Sequence, residues 1–254
     1  MMTTTQDLAG QAILVTGAGR GLGRSVAETL ARLGAALAVL DVDAESCRAT
    51  AERIRAAGGS ADAYAVDVAD RAAFARAAAA FVGKHGRLDA LVNNAMLLRY
   101  EPIQAVTEPV LDRMLAIGIK GAVWGAQLLL EHMSAERGAV LINMASPVAE
   151  RGYPNTSIYS LVKGAMVTLT RTLAAELGPR RVRVNAVAPG SVPTPGAVGL
   201  NDPAEYERRA RTIPLRRLGR EEDNAAAVAF LLSPAASFIN GEILHVDGGI
   251  AAAG

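Results

Sequence analysis

Short apolar runs bounded by Gly, Asp or Asn alternate with longer stretches of helical periodicity, and this alternation constrains the fold more than any other feature of the chain. The runs "AILVTG" (12–17), "ALAVLD" (36–41), "AYAVD" (63–67), "LDALVNN" (88–94), "AVLINMAS" (139–146), "VRVNAVAP" (182–189) and "EILHVDGG" (242–249) predict seven strands. Helices are expected over 22–33, 44–57, 70–84, 157–177, 203–211 and 221–232, with a long one starting at Thr107 and Pro109. Strand–helix–strand units demand right-handed crossovers. The expected architecture is therefore α/β: a doubly wound, seven-stranded, mainly parallel sheet with helices on both faces. No linker, repeat or low-complexity segment divides it, so residues 1–254 read as one domain.

Composition agrees with a sheet covered on both faces. The chain is 51% hydrophobic but only 4% aromatic, so its core must interdigitate many small side chains. A net charge of +1 creates no field suited to nucleic acid or a membrane surface. The arginines at 208, 209, 211, 216 and 217 are interleaved with Glu205, Glu207, Glu221 and Glu222, as on a solvated face. Cys47 is the only cysteine, which excludes an internal disulfide and suits a reducing compartment. "MMTTTQDLAG" lacks the pattern of a signal peptide, and no apolar run approaches the roughly 20 residues of a membrane span. A cytoplasmic protein without a metal site is expected.

"TGAGRGLG" (16–23) lies where the first strand becomes the first helix. Gly17 permits the sharp turn, Gly21 lets the backbone approach a pyrophosphate, and Gly23 allows close helix–strand packing. The helix N-terminus then offers free N–H groups to an anion. Asp41 ends the second strand, where a carboxylate can accept hydrogen bonds from ribose hydroxyls. At ~4 Å and an effective dielectric of ~20, it would repel a 2′-phosphate by a few kcal/mol, which favours NAD over NADP. Arg20 is the one loop residue that could attract that phosphate; Val42 offers nothing and Asp43 adds repulsion.

"YSLVK" puts Tyr159 and Lys163 on one helix face. A fixed ammonium at ~4 Å would favour the phenolate by about 4 kcal/mol, making the tyrosine a usable acid/base. Ser146 follows the fifth strand, at the carboxyl edge where open sheets bind ligands, and its hydroxyl can hold a substrate oxygen beside Tyr159.

Together these motifs resemble the single-domain Rossmann branch of the short-chain dehydrogenase/reductase family, from about residue 8 to residue 250. The resemblance rests on "TGAGRGLG", the acidic end of the second strand, "DV" (67–68), "NNA" (93–95), Ser146 thirteen residues before Tyr159, "YSLVK", "NAVAPGSVPT" (185–194) and "VDGG" (246–249). It implies NAD(P)-linked interconversion of a secondary alcohol and a ketone. Tyr159 would be the acid/base, Lys163 would lower its pKa and bind the nicotinamide ribose, and Ser146 would orient the substrate oxygen. Cofactor contacts would come from Gly17, Arg20, Gly21, Leu22, Gly23, Asp41, Asp67, Val68, Asn93, Ala95, Pro189, Gly190, Val192 and Thr194. Of these, Asp67 and Val68 would meet the adenine, Asn93 the adenosine side, and Val192 and Thr194 the nicotinamide amide or pyrophosphate. On residue chemistry alone, Asp67 reads as a turn cap and Asn93 as a sheet-edge hydrogen bond.

Two positions depart from the family pattern. Met96 replaces the glycine of "NNAG", beside the cleft. Gly118, in "IGIKG", stands where relatives carry a catalytic Asn whose helix distortion frees a carbonyl for a water leading to the Lys. Glycine leaves its own carbonyl open, so Gly118 is counted with the catalytic set and Gly118→Asn is expected to keep or raise turnover; the alternative is that Gly118, like Gly121 and Gly125, only lets helices approach. Met96, Val148 and Tyr153 would join Ser146 and Tyr159 at the substrate, with Leu97, Arg99, Arg151 and Val198 nearby and the 190–212 segment as a lid. Hydroxyacyl, sugar-like and polyol substrates all remain open, as do an NADP-dependent 3-oxoacyl reductase and a dinucleotide-binding sensor or scaffold with weak chemistry. The resemblance also implies a homotetramer or homodimer through the long helices, where Trp124, Leu128, Met166 and Leu169 would suit an exposed interface but would also suit the core.

Overall fold

The computed structural model describes residues 7–196 and 203–253. Seven strands form one sheet in the order β3-β2-β1-β4-β5-β6-β7, and every neighbouring pair is parallel. They are β1 (Ala12–Thr16), β2 (Ala36–Asp41), β3 (Ser60–Ala65), β4 (Ala90–Asn93), β5 (Ala139–Met144), β6 (Val182–Pro189) and β7 (Ile243–Val246). The central strands are continuous apolar runs because both of their faces are covered: all five residues of β1 are buried. Edge strand β3 differs. Expected over 63–67, it spans Ser60–Ala65 and pairs from Ala36↔Ser60 to Asp41↔Ala65. Only Ala61 in it is buried, so no apolar run marks its true start.

Helices α1 (Gly21–Arg32), α2 (Ala44–Ala56) and α8 (Glu221–Leu232) cover one face through Val26, Leu30, Ile54, Val228 and Leu232. On the other lie α3 (Arg71–His85), α5 (Gly121–His132) and α6 (Ser157–Leu177), packing through Phe74, Phe81, Leu129 and Leu177. Asp43 and Asp70 cap α2 and α3 by accepting backbone N–H bonds, which sets where each helix starts. Helix α7 (Pro203–Thr212) follows the segment that includes Val198, which lies outside the described residues.

The long helix expected after β4 is interrupted. It consists of α4 (Glu108–Leu115), a π turn over Ala116–Lys120 and α5, with the Gly121 N–H reaching back five residues to the Ala116 carbonyl. Together Glu108–His132 is long and apolar enough by composition to cross a membrane, which the sequence reading did not foresee. Its apolar residues serve the core instead: Leu128 and Leu129 are buried against the sheet. Of the residues that suit either an interface or the core, Leu128 and Met166 are buried, and Trp124 and Leu169 are partly buried against the same clusters, the core alternative.

Candidate active site

Strand order reverses between β1 and β4, and the two strand ends are tied together there. Thr16 Oγ1 donates to the Val92 carbonyl and accepts the N–H groups of Asn94 and Ala95, each at 3.0 Å. Asn94 Nδ2 donates to the carbonyls of Thr16 (2.9 Å) and Gly17 (3.0 Å). An open α/β sheet binds its ligand in the crevice at such a switch point.

The glycine loop bends into this crevice. Gly17 and Gly21 hold φ of +63° and +59°, which L side chains resist. A Cβ on Gly23 would collide with the Gly17 carbonyl oxygen and stand 2.5 Å from Asn94 Nδ2. Helix α1 then opens with Arg20 in extended conformation, no side-chain cap and no acidic residue in its first turn, so its first N–H groups are open to an anion. Asp41 is held beside the loop: its oxygens accept the N–H groups of Gly19 (2.9 Å) and Asp43 (3.1 Å), leaving lone pairs for two hydroxyls. Arg20, exposed, directs its charge toward Asp43 and helps hold that carboxyl below its usual range, after the backbone N–H bonds from Ser46 and Glu45. Thr194 lies over Gly21, its Cβ 3.4 Å from where a Gly21 Cβ would stand. The loop, the open helix end and the fixed carboxylate fit a dinucleotide.

At the carboxyl ends of β4 and β5 the second cluster forms. Lys163, 6% exposed, donates from Nζ to the Met144 carbonyl at 2.6 Å and lies 5.6 Å from the Tyr159 ring centroid. Buried Ser146 accepts the Val148 N–H at 3.4 Å, and its hydroxyl faces the Tyr159 phenol. The Tyr100 ring meets Tyr159 edge-on, centroids 5.5 Å apart. Ser146, Tyr159 and Lys163 thus share one corner.

The charge balance of that corner differs from the sequence expectation. Burial pushes the Tyr159 phenol up, Tyr100 adds to the rise, and only the Ser146 hydroxyl opposes it. Burial also pulls the Lys163 ammonium down, to about 8. The ammonium points at a backbone carbonyl and looks onto the ring rather than the phenol oxygen, so desolvation of both groups outweighs their attraction.

Other expected residues fall as follows. Leu22, partly buried, packs on the core, and Ala95 presses its Cα against Gly17. Val68 is buried and packs over Gly121. Asp67 Oδ2 pairs with Arg113 Nη1 of α4 at 2.7 Å while Oδ1 accepts the Ala69 N–H, which is the turn-cap reading with an added cation. The Asn93 amide is anchored within the protein: Nδ2 donates to Asn143 Oδ1 (2.9 Å) and the Ala122 carbonyl (3.2 Å). It belongs to a buried chain continued by Asn143 to Thr170, the sheet-edge role. Gly190, next to Pro189, backs closely onto Asp247, and Val192 is buried. Tyr153 is 40% exposed, and only its backbone carbonyl is engaged, by Thr156.

Gly118 is buried inside the π turn, where side chains crowd the position that Gly118→Asn would fill. A Cβ there would stand 3.0 Å from Met96 Sδ and closer still to Val162 Cγ1, so no longer side chain fits without displacement. Residues left unassigned by sequence are Thr16, Asn94 and Arg113. Thr16 and Asn94 lie inside quoted motifs, but their role comes from side chains bridging two strands distant in sequence. Tyr100 closes the stretch from Met96 where pocket residues are expected, and its ring meets Tyr159; nothing local marks Arg113.

A family model described as enoyl-(acyl carrier protein) reductase matches residues 17–251. The chain is 37% identical over 253 residues to a sorbitol dehydrogenase of Cereibacter sphaeroides, covering 95% of this chain and 98% of that one. It superposes with a TM-score of 0.93 and 32% identity on a 7α-hydroxysteroid dehydrogenase complexed with NADH and 7-oxo glycochenodeoxycholic acid, covering 96% of each chain. A Beutenbergia cavernae structure with bound NADP, provisionally named an NAD(P)-dependent gluconate 5-dehydrogenase, gives 0.92 at 34% identity, covering 98% of this chain and 100% of that one. With the glycine loop at the switch point and Ser146, Tyr159 and Lys163 in one corner, these likenesses make the chain an oxidoreductase of the short-chain dehydrogenase/reductase family.

Proposed function

We propose that the protein interconverts a secondary alcohol and its ketone with NAD(H). The observation that carries this reading is the corner itself: a serine hydroxyl and a tyrosine phenol facing one another, with a buried lysine beneath, next to a loop shaped for pyrophosphate. Ser146 holds the substrate oxygen. Tyr159 takes the hydroxyl proton as the alcohol is oxidised and returns it as the ketone is reduced. Lys163 offers its ammonium to a ribose hydroxyl and its charge to the phenolate. The bound nicotinamide supplies the partner for the hydride. A positive ring beside the phenol opposes the upward push of burial on Tyr159, which favours proton transfer in the loaded site.

Asp41 supports NAD over NADP. Its carboxylate is fixed by two backbone N–H bonds and cannot swing away from a 2′-phosphate. Asp43, beside Asp41, adds a second negative charge near that position. A cytoplasmic location and an assembly of two or four chains belong to the same proposal, the latter measured by light scattering.

The test is a panel of secondary alcohols and ketones, polyols and sugar acids included, followed by nicotinamide absorbance. Tyr159→Phe is expected to lower kcat by ~10²–10⁴-fold while NADH affinity holds within about twofold. Tight NADH binding without turnover of any panel member would instead favour a sensor or scaffold. A clear preference for NADPH would overturn the cofactor assignment.

A further inference from the structure

We propose that Met96 and Gly118 form an interlocked pair in which the Met96 thioether shares with Val162 the space a side chain at 118 would need, so that Met96 is a positioning residue for the corner holding Lys163. The inference rests on the dehydrogenase reading above and adds a residue to it.

A cavity of about 10 Å³, the size of one water, lies between the π turn and α6. Met96, Ile117, Gly118, Gly121, Val162 and Lys163 line it. Met96 Sδ sits 3.0 Å from the position of a Gly118 Cβ, and Val162, the residue before Lys163, closes the other side. The π turn widens the helix at this point, and the glycine within it leaves a notch that an unbranched thioether can fill. Met96 thus walls the chamber beneath the lysine. Shortening it lets water in; adding a carbon at 118 drives it out.

The groups facing the corner come from three elements. Lys163 lies under the Tyr159 ring on α6, Ser146 faces the phenol from the end of β5, and Tyr100 meets the ring edge-on from the segment after β4. Arg209 and Tyr206 of α7 act on Tyr100 in opposite directions, Arg209 lowering its pKa and Tyr206 raising it. Opening the chamber hydrates Lys163, which lines it. The lysine then stays charged to higher pH, and its charge beside the Tyr159 ring lets the phenol ionise at lower pH. The lower ionisation of the phenol moves the acid limb of alcohol oxidation down the pH scale.

The experiment is a double-mutant cycle of Met96→Gly, Gly118→Ala and their combination, with Met96→Leu as the conservative variant. It measures kcat, KM and pH profile with the fastest alcohol of the panel, and NADH affinity and melting temperature independently of turnover. Gly118→Ala is expected to lose on the order of tenfold in kcat and to recover part of it with Met96→Gly, the remainder being held by Val162, which stands closer to the new carbon. Met96→Gly alone is expected to shift the acid limb down by at least about half a pH unit, and Met96→Leu to leave it in place. Additive losses in the combined variant, or an unmoved pH profile for Met96→Gly, would overturn the proposal. If Gly118→Ala does not fold, the contrast between Met96→Gly and Met96→Leu decides. If the wild type turns over nothing, the dehydrogenase reading falls, and coupling in melting temperature still decides the interlock.

Discussion

Two glycine clusters serve this molecule for opposite reasons. In the loop of Gly17, Gly21 and Gly23, glycine supplies backbone shape: two positive φ values and a helix start pressed against a carbonyl oxygen. In the helix carrying Gly118, Gly121 and Gly125, φ is ordinary and glycine supplies room. The missing Cβ atoms would meet Val162 and Met96, Val68, and Asn93 with Leu91. A helix accepts about 1 kcal/mol per glycine against alanine when a neighbouring side chain gains the space. The first cluster makes a surface for a ligand, whereas the second makes contacts inside the protein.

The largest effect should come from breaking the first cluster. In Gly23→Ala the new carbon meets the Gly17 carbonyl and Asn94, neither of which can retreat without opening the tie between β1 and β4. Overpacking against rigid backbone costs at least about 3 kcal/mol, so NADH affinity should fall by ~100-fold or more. A fluorescence titration measures it. Binding within threefold of wild type would mean that the loop takes no part in holding the cofactor.

Next in size is Asp41→Asn, which keeps an acceptor for the Gly19 N–H but removes the charge. The ratio of NADP to NAD affinity should rise by ~10–100-fold, a conservative share of the few kcal/mol of repulsion. Isothermal titration with both dinucleotides gives the ratio. An unchanged ratio would place the 2′ position away from this carboxylate.

Such loops are legible in a sequence because their requirement is local. Gly17 must turn, Gly23 must lack a side chain, and Asp41 must end a strand, whatever the rest of the chain does. The strands buried on both faces were legible for the same reason, and β2, the α6 helix and β6 begin and end where their apolar patterns do. Where a neighbour distant in sequence decides the outcome, the reading fails. Edge strand β3 starts at Ser60 because β2 offers hydrogen bonds there, not because the residues are apolar. The Asn93 amide is held by Asn143, fifty residues away, a tie that no local pattern shows. The pull of Lys163 on Tyr159 is opposed by burial of both groups, which no local pattern in the sequence shows. Gly118 is the sharpest case. Its meaning depends on Met96 and Val162, and only their positions show that the notch is filled.

The second cluster should respond in stability and leave cofactor affinity alone. In Gly125→Ala the added carbon stands 2.6 Å from Asn93 Oδ1 and 3.2 Å from Leu91 Cδ2, where the Asn93 amide is tied to α5 and β5. Overpacking of this kind costs about 1–3 kcal/mol, and melting should fall by roughly 2–4 °C for each kcal/mol in a chain this size. NADH affinity should stay within about twofold. An affinity loss as steep as that of Gly23→Ala would erase the distinction between the clusters.

A glycine with neither duty calibrates both. Gly83 lies exposed in α3, at ordinary helical φ, with nothing within 4 Å of where its Cβ would stand. Alanine there restrains the unfolded chain and meets no neighbour, so Gly83→Ala should stabilise by about 0.5–1 kcal/mol. That is roughly 1–4 °C in the melting temperature, readable by calorimetry. A gain at Gly83 beside a loss at Gly125 separates the crowding term from helix propensity, because both substitutions add the same carbon to a helix. A loss at Gly83 of the size seen at Gly125 would mean that alanine is resisted in these helices for reasons other than Asn93 and Leu91, and the reading of the second cluster as room for neighbours would have to be abandoned.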